Sequence, residues 1–218
     1  MKNTNKKYLI ITICSLLLFI FISILSLKDR LISIDQAIIS WFTESSSSFV
    51  VTLMEAITKI GSGEFILILS LIIGLCLSVY KKWGYVIFLF VLTSGGIALN
   101  FFLKVLFQRE RPGEMSVIEV FGYSLEIASY SFPSGHTMRS VILFTFLIFL
   151  CYRLIRNSLQ VITFSSLFIF MIISVALSRI IVGAHFPSDI FAAITISLSW
   201  FYFCLIAFQS FFRNKFVI

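Results

Sequence analysis

The chain has 218 residues, 59% of them hydrophobic and only 12% charged, with a formal net charge of +7. A soluble domain carries about 25% charged residues, so the composition argues against a soluble fold. It also argues against a nucleic-acid partner, because no soluble basic segment exists to hold a polyanion. What remains is a polytopic all-α membrane protein, formed as a single domain over residues 1–218, whose excess of cations suits an anionic membrane surface or an anionic substrate.

Residues 8–27 form an apolar run long enough to cross a bilayer. Its length, and the lack of a small-x-small cleavage site before Lys28, mark it as an uncleaved first span rather than a signal peptide. Residues 31–42 place apolar side chains at helical spacing with Asp35 and Gln36 on the opposite side, which predicts a short helix lying in the interface. After a serine run, residues 49–60 read as a second short helix, ended by Gly61-Ser62-Gly63. Residues 65–80 are the expected second span. Residues 85–107 are the third, with Ser94-Gly95-Gly96 allowing close helix packing.

A long polar connection, residues 108–133, carries Glu110, Glu114, Glu119 and Glu126. Spans four, five and six follow at about 134–154, 159–182 and 187–212, the last closed by Arg213 and Lys215. The layout is thus six transmembrane helices with short interfacial helices between the first two. Lys and Arg are nearly balanced between the two sides. Setting aside those that belong to polar islands, the positive-inside rule places both termini in the cytoplasm and the islands at the outer face of the cell membrane.

Three such islands interrupt the apolar pattern, at residues 104–112, 132–136 and 178–189, and the two histidines of the chain, His136 and His185, lie in them. Lys104 and Arg111 are seven apart, nearly two helical turns, so both project from one face, and Pro112 stops the helix there. Two cations so placed repel unless an anion lies between them. Pro133-Ser134-Gly135-His136 reads as a helix start whose amides and dipole favour phosphate, with Gly135 permitting close approach. Arg179 ends span five. Asp189 lies four residues after His185 and reaches back to its imidazole, fixing the tautomer and leaving Nε2 as nucleophile or base. A metal held by these groups is disfavoured, because the surrounding cations repel a divalent ion. Fixed cations, backbone donors, one Asp-oriented His and one further His suit in-line phosphoryl transfer, in which one His attacks phosphorus and the other protonates the leaving oxygen.

These motifs, Lys104-x6-Arg111-Pro112, Pro133-Ser134-Gly135-His136 and Ser178-Arg179-x5-His185-x3-Asp189 with Gly183 two before the last His, resemble in order those of the type 2 phosphatidic acid phosphatase family, which is related in fold to vanadium haloperoxidases. The resemblance implies that Lys104, Arg111 and Arg179 hold phosphate oxygens with Ser134 and Gly135. It further implies His185 as nucleophile, Asp189 as its orienting partner, His136 as general acid, and no metal or other cofactor. It implies a membrane lipid phosphate as substrate, of the phosphatidylglycerophosphate, undecaprenyl diphosphate, phosphatidic acid or lipid A type. A lipid phosphotransferase and a non-enzymatic anion or lipid transporter are the alternatives. Arg139, three after His136, lies outside the motifs and is read either as an outward snorkelling cation or as a contact for a second anionic group. Arg109 falls off the Lys104 face and is expected in solvent.

Overall fold

A computed structural model describes residues 2–112, 118–120, 123–125 and 130–211. The described chain runs α1 (Lys2–Leu27), α2 (Ile32–Ser45), α3 (Ser48–Thr58), a 3₁₀ turn (Lys59–Gly61), α4 (Gly63–Val79), α5 (Trp83–Phe107), strands β1 (Ile118–Val120) and β2 (Tyr123–Leu125), then α6 (Gly135–Leu154), α7 (Ser158–Ile181) and α8 (Pro187–Phe211). The strands pair antiparallel with Ile118 opposite Leu125, giving part of the polar connection a hairpin that its sequence did not suggest. Glu114 and Glu126, and the expected end of the last span with Arg213 and Lys215, lie outside the described residues.

The protein is an all-α multi-pass membrane protein. Among the described residues, five helices are long and apolar enough to cross a bilayer, and six if α3 and α4, bent by 47° at their break, count as one span. By itself α4 is short for a full crossing, and α3, expected as a short interfacial helix, meets it at the bend and packs against α7. Gly61 makes the break possible: a Cβ there would lie 2.7 Å from Val175 Cγ1 and 3.1 Å from His136 Cβ. Ser62 then restarts the helix by accepting from the Phe65 amide at 3.1 Å.

In α2, Ile34 and Trp41 are exposed as an interfacial helix requires, but Asp35 is buried. This corrects the expectation that Asp35 faces water. The helix rests against α7 and α8, with Ile38, Ile39 and Phe42 on the apolar cluster of Ala176, Ile180 and Ile190 and Asp35 on the polar groups of Ser188 and Arg109.

Helices α6 and α8 form the centre, with 56% of their most apolar stretches buried against 22–33% in α1, α5 and α7. Phe88 on α5 anchors this core, its ring 5.2–5.9 Å from those of Phe146, Phe149, Phe201 and Phe208. The small residues of α5 serve the expected close packing. A Cβ on Gly95 would lie 2.4 Å from Trp200, whose indole donates to the Leu92 carbonyl at 3.1 Å. Gly95→Ala should therefore push the indole off this carbonyl and cost about 1–3 kcal/mol. Gly74→Ala, where nothing lies within 4 Å, should not. The thermal midpoints of the two solubilised variants check this, and equal midpoints would contradict the packing account.

Candidate active site

The three polar islands meet at one end of the bundle, where α1, α5 and α7 finish and α6 and α8 begin. The Ser134 amide donates to the Asp189 carbonyl at 3.3 Å, tying the start of α6 to the start of α8. Asn100 of α5 donates to the Pro133 carbonyl at 3.2 Å, and Lys104 Nζ to the Tyr130 carbonyl at 2.5 Å. The residues singled out from the sequence are thus brought together by bonds between islands that are far apart in the chain.

His136 lies in the first turn of α6. The charges of Arg111, Arg139, Arg179 and His185 all act on it, which places both imidazoles in one cluster. Ser134 precedes the helix but does not cap it with its side chain; its hydroxyl instead accepts from Thr137 at 3.1 Å. Gly135 is required for close approach: a Cβ there would lie 3.0 Å from Asn100 Oδ1 and 3.3 Å from Arg139 NH1. Arg139 is turned inward over this helix start, with Nε donating to the Gly61 carbonyl at 3.2 Å. The snorkelling orientation is thereby overturned.

Arg179 is buried at the end of α7. It donates from NH1 to Thr58 Oγ1 at 2.8 Å, while its buried Nε has no hydrogen-bond partner among the described residues. A buried guanidinium N–H left without an acceptor is costly, and this one lies in a cluster of further cations, Lys104, Arg111 and Arg139. Burial also pulls Arg111 below its ordinary range, with the Asp189 charge opposing.

His185 and Asp189 are almost fully buried. The imidazole Nδ1 lies 3.5 Å from Asp189 Oδ2, and Ser131 bridges the pair. Its hydroxyl is 3.2 Å from Nδ1 and donates to Oδ2. The Phe186 amide donates to the same Oδ2 at 2.9 Å. On the other carboxylate oxygen, Arg109 NH1 donates to Oδ1 at 2.6 Å. Arg109 is therefore an inward, paired residue, which corrects its expected solvation. Sequence reasoning missed Ser131, Arg109, Asp35, Ser188, Asn100 and Thr58. Arg109 and Asp35 carried a signal, since each is an ionisable residue next to an apolar run, but their partners lie 74 or more positions away. Beside the cluster, Arg111 and Phe186 line a cleft of about 440 Å³ shared with Asp29, Gln36 and Glu110.

The sequence profile of the PAP2 superfamily matches residues 84–213, which hold every one of the three islands. The chain belongs to the PAP2 superfamily. Phosphatidylglycerophosphatase B of Bacillus subtilis (strain 168) is 27% identical over 195 residues, spanning 86% of this chain and 90% of its own. In fold, this PAP2 chain is similar to a transmembrane PAP2 type phosphatidylglycerolphosphate phosphatase from Bacillus subtilis, with a TM-score of 0.79 and 24% identity over 94% of this chain and 98% of the other. It is also similar to Aquifex aeolicus LpxE, with a TM-score of 0.58 and 20% identity over 78% and 93% of the two chains.

Burial pushes His185 down to about 4, the hydrogen bond and charge of Asp189 opposing and the charges of Arg179 and Arg111 adding to it. The ring is then neutral at any pH above that value and gains its proton only as the pH falls through it. NMR of histidine-labelled protein should show an imidazole, lost in His185→Ala, that titrates near pH 4. A midpoint near 6.5 would contradict the burial described.

Proposed function

We propose that this PAP2 protein is an integral-membrane lipid phosphatase that hydrolyses a phosphomonoester or diphosphate of a membrane lipid without a metal, through a phosphohistidine intermediate. The observation that carries the proposal is the cation cluster around two imidazoles. Arg111, Arg139 and Arg179 act on His136 in the first turn of α6, Lys104 lies in the same cluster, and among the described residues a buried N–H of Arg179 lacks an acceptor. A bound phosphate supplies acceptors to such a cluster and offsets its mutual repulsion.

In this reading Lys104, Arg111 and Arg179, with Ser134 and the Gly135 backbone, hold the phosphate oxygens. Asp189 orients His185 through Nδ1, and the neutral Nε2 attacks phosphorus in line with the leaving oxygen. The P–O bond to the lipid breaks as the N–P bond forms, and His136 gives its proton to that oxygen. Water then attacks the phosphohistidine, losing a proton to His136, and releases inorganic phosphate and neutral His185. No step is assigned to a metal or other cofactor, since the cations occupy the ground a divalent ion would need.

The substrate class is the one acted on by relatives of this kind. Phosphatidylglycerophosphate is favoured by the name of the Bacillus subtilis relative, with undecaprenyl diphosphate, phosphatidic acid and lipid A type lipids sharing the same motifs. The lipid tail stays in the bilayer while the headgroup enters at the end of α5 to α8. The working location is the plasma membrane, with both termini cytoplasmic and the site at the outer face, as the distribution of Lys and Arg outside the islands supports. A phosphotransferase differs only in the acceptor that replaces water. A transporter would carry polar groups along its spans, whereas here they gather at one end.

Purified protein should release phosphate from at least one of these four lipids with EDTA present, and His185→Ala should lose about 10⁴-fold or more of that rate. Undiminished release from the variant would reject the assignment. The inward Arg139 lies one turn beyond His136 and suits a second phosphate. Arg139→Ala should therefore slow hydrolysis of a diphosphate lipid about tenfold more than that of a monophosphate lipid, the worth of roughly one charge-assisted hydrogen bond. Equal losses would assign Arg139 a structural role alone.

A further inference from the structure

Arg109 lies two residues before Arg111 and lines the same cleft, yet its guanidinium is engaged by acceptors of the protein itself. Its side chain is 14% exposed, and its guanidinium lies 4.4 Å from the centre of the Phe186 ring. NH1 donates to Asp189 Oδ1 at 2.6 Å and Ser188 Oγ at 2.7 Å, and NH2 donates to Asp35 Oδ2 at 2.9 Å. Asp35 also accepts from the Ser188 amide at 3.0 Å and from the Ser188 hydroxyl. The two oxygens of Asp189 are thereby divided. Oδ1 is pinned by Arg109, and Oδ2 is left for Ser131, the Phe186 amide and His185. A carboxylate gripped on one oxygen has lost its rotation about Cβ–Cγ, so the other oxygen stays aimed at Nδ1.

We infer that Arg109 is a positioning residue for the transfer proposed above: it fixes the rotation of the Asp189 carboxylate and sets how strongly that carboxylate holds the His185 ring, while Asp35 of α2 sets how much of the Arg109 charge reaches Asp189. The inference rests on the reading of His185 as the nucleophile. His185 is faced by Asp189 from α8, Ser131 from the connection, Arg179 from α7, Arg111 after α5 and His136 from α6. Asp189 is faced by Arg109 as well, and at longer range by Lys104. Of these groups, Arg109 is the one in contact with Asp35.

The consequences differ from those of a phosphate-binding cation. With its N–H groups engaged by protein acceptors, Arg109 supports the rate of transfer rather than the binding of phosphate. Removing its charge leaves Asp189 a stronger partner for protonated His185, so the acid limb of kcat/KM moves up. Removing the Asp35 charge leaves more of the Arg109 charge on Asp189, so the limb moves down. A change that merely loosened the fold would not move the limb in opposite directions.

The test uses the full chain in lipid–detergent micelles with one lipid phosphate, so that the ionisation of the substrate cancels between variants. Arg109→Gln should lower kcat about 10–100-fold, leave the inhibition constant for inorganic phosphate unchanged, and raise the acid limb by about one unit. Asp35→Asn should lower the limb, and Arg109→Lys should recover part of the lost kcat. An Arg109→Gln variant with full kcat, a loss of phosphate inhibition in step with kcat, or limbs that move the same way in both variants would overturn the inference. Should Arg109→Gln fail to fold, the Asp35→Asn limb decides, and a limb that stays or rises overturns it. His185→Ala in the same assay tells the two claims apart. Loss of release there with unchanged Arg109→Gln kinetics rejects only the role of Arg109, whereas retained release rejects the phosphatase reading and this inference with it.

Discussion

The structure of the site depends on one buried carboxylate. Asp189 has no exposed side-chain surface, and an ionised carboxylate so placed costs several kcal/mol unless every lone pair is met. The chain meets that demand from three directions: Arg109 after α5, Ser131 before α6, and the Phe186 amide before α8. The Asp189 carbonyl adds a fourth tie by accepting from Ser134. Satisfying this residue is therefore the same act as bringing the three islands together. The polar cluster and the fold of this end of the bundle have a common cause.

The cations pose the opposite problem. Lys104, Arg111, Arg139 and Arg179 lie close enough to act on one another, and like charges in a medium of low dielectric repel by amounts that water would quench. Three of them are held against that repulsion by neutral acceptors: a carbonyl at Tyr130, a hydroxyl at Thr58 and a carbonyl at Gly61. Neutral tethers fix position without cancelling charge, so the cluster stays an attractor for an anion. Asp35 and Asp189 are instead paired with Arg109, which separates a pairing zone beside His185 from a zone of four cations on which Glu64 acts only through Arg139.

How much of this could be read from the sequence follows from the range of the interactions. The spans were legible because apolar runs are local, and the convergence of the three islands because their polar residues sit in short motifs. Arg109 and Asp35 were misplaced for one shared reason. Helical spacing puts each on the polar side of its own segment, and polar sides usually meet water. Here they meet each other, 74 positions apart, and each makes the burial of the other tolerable. Ser131 was passed over because a lone serine in a polar connection carries no periodic signal. The spacing of Arg139 allows two orientations, and the inward one depends on the Gly61 carbonyl, which belongs to a different helix pair.

The bent second span shows the same coupling between membrane and chemistry. Helix α4 has 17 residues, a rise of about 25 Å at 1.5 Å per residue, which falls short of the roughly 30 Å hydrocarbon core. Counted together with α3 across the break at Gly61, the pair is long and apolar enough. That break lies against His136, and the α3 side of it carries Thr58 to Arg179 while the Gly61 carbonyl receives Arg139. A straight, full-length span would present side chains and closed backbone hydrogen bonds at this level. The interruption instead provides a glycine that His136 can approach and a carbonyl free to accept from outside the helix. Breaking a span is unfavourable in lipid because it frees backbone groups; here the freed carbonyl is taken up by an arginine of the cationic zone, so the break and the cluster offset each other.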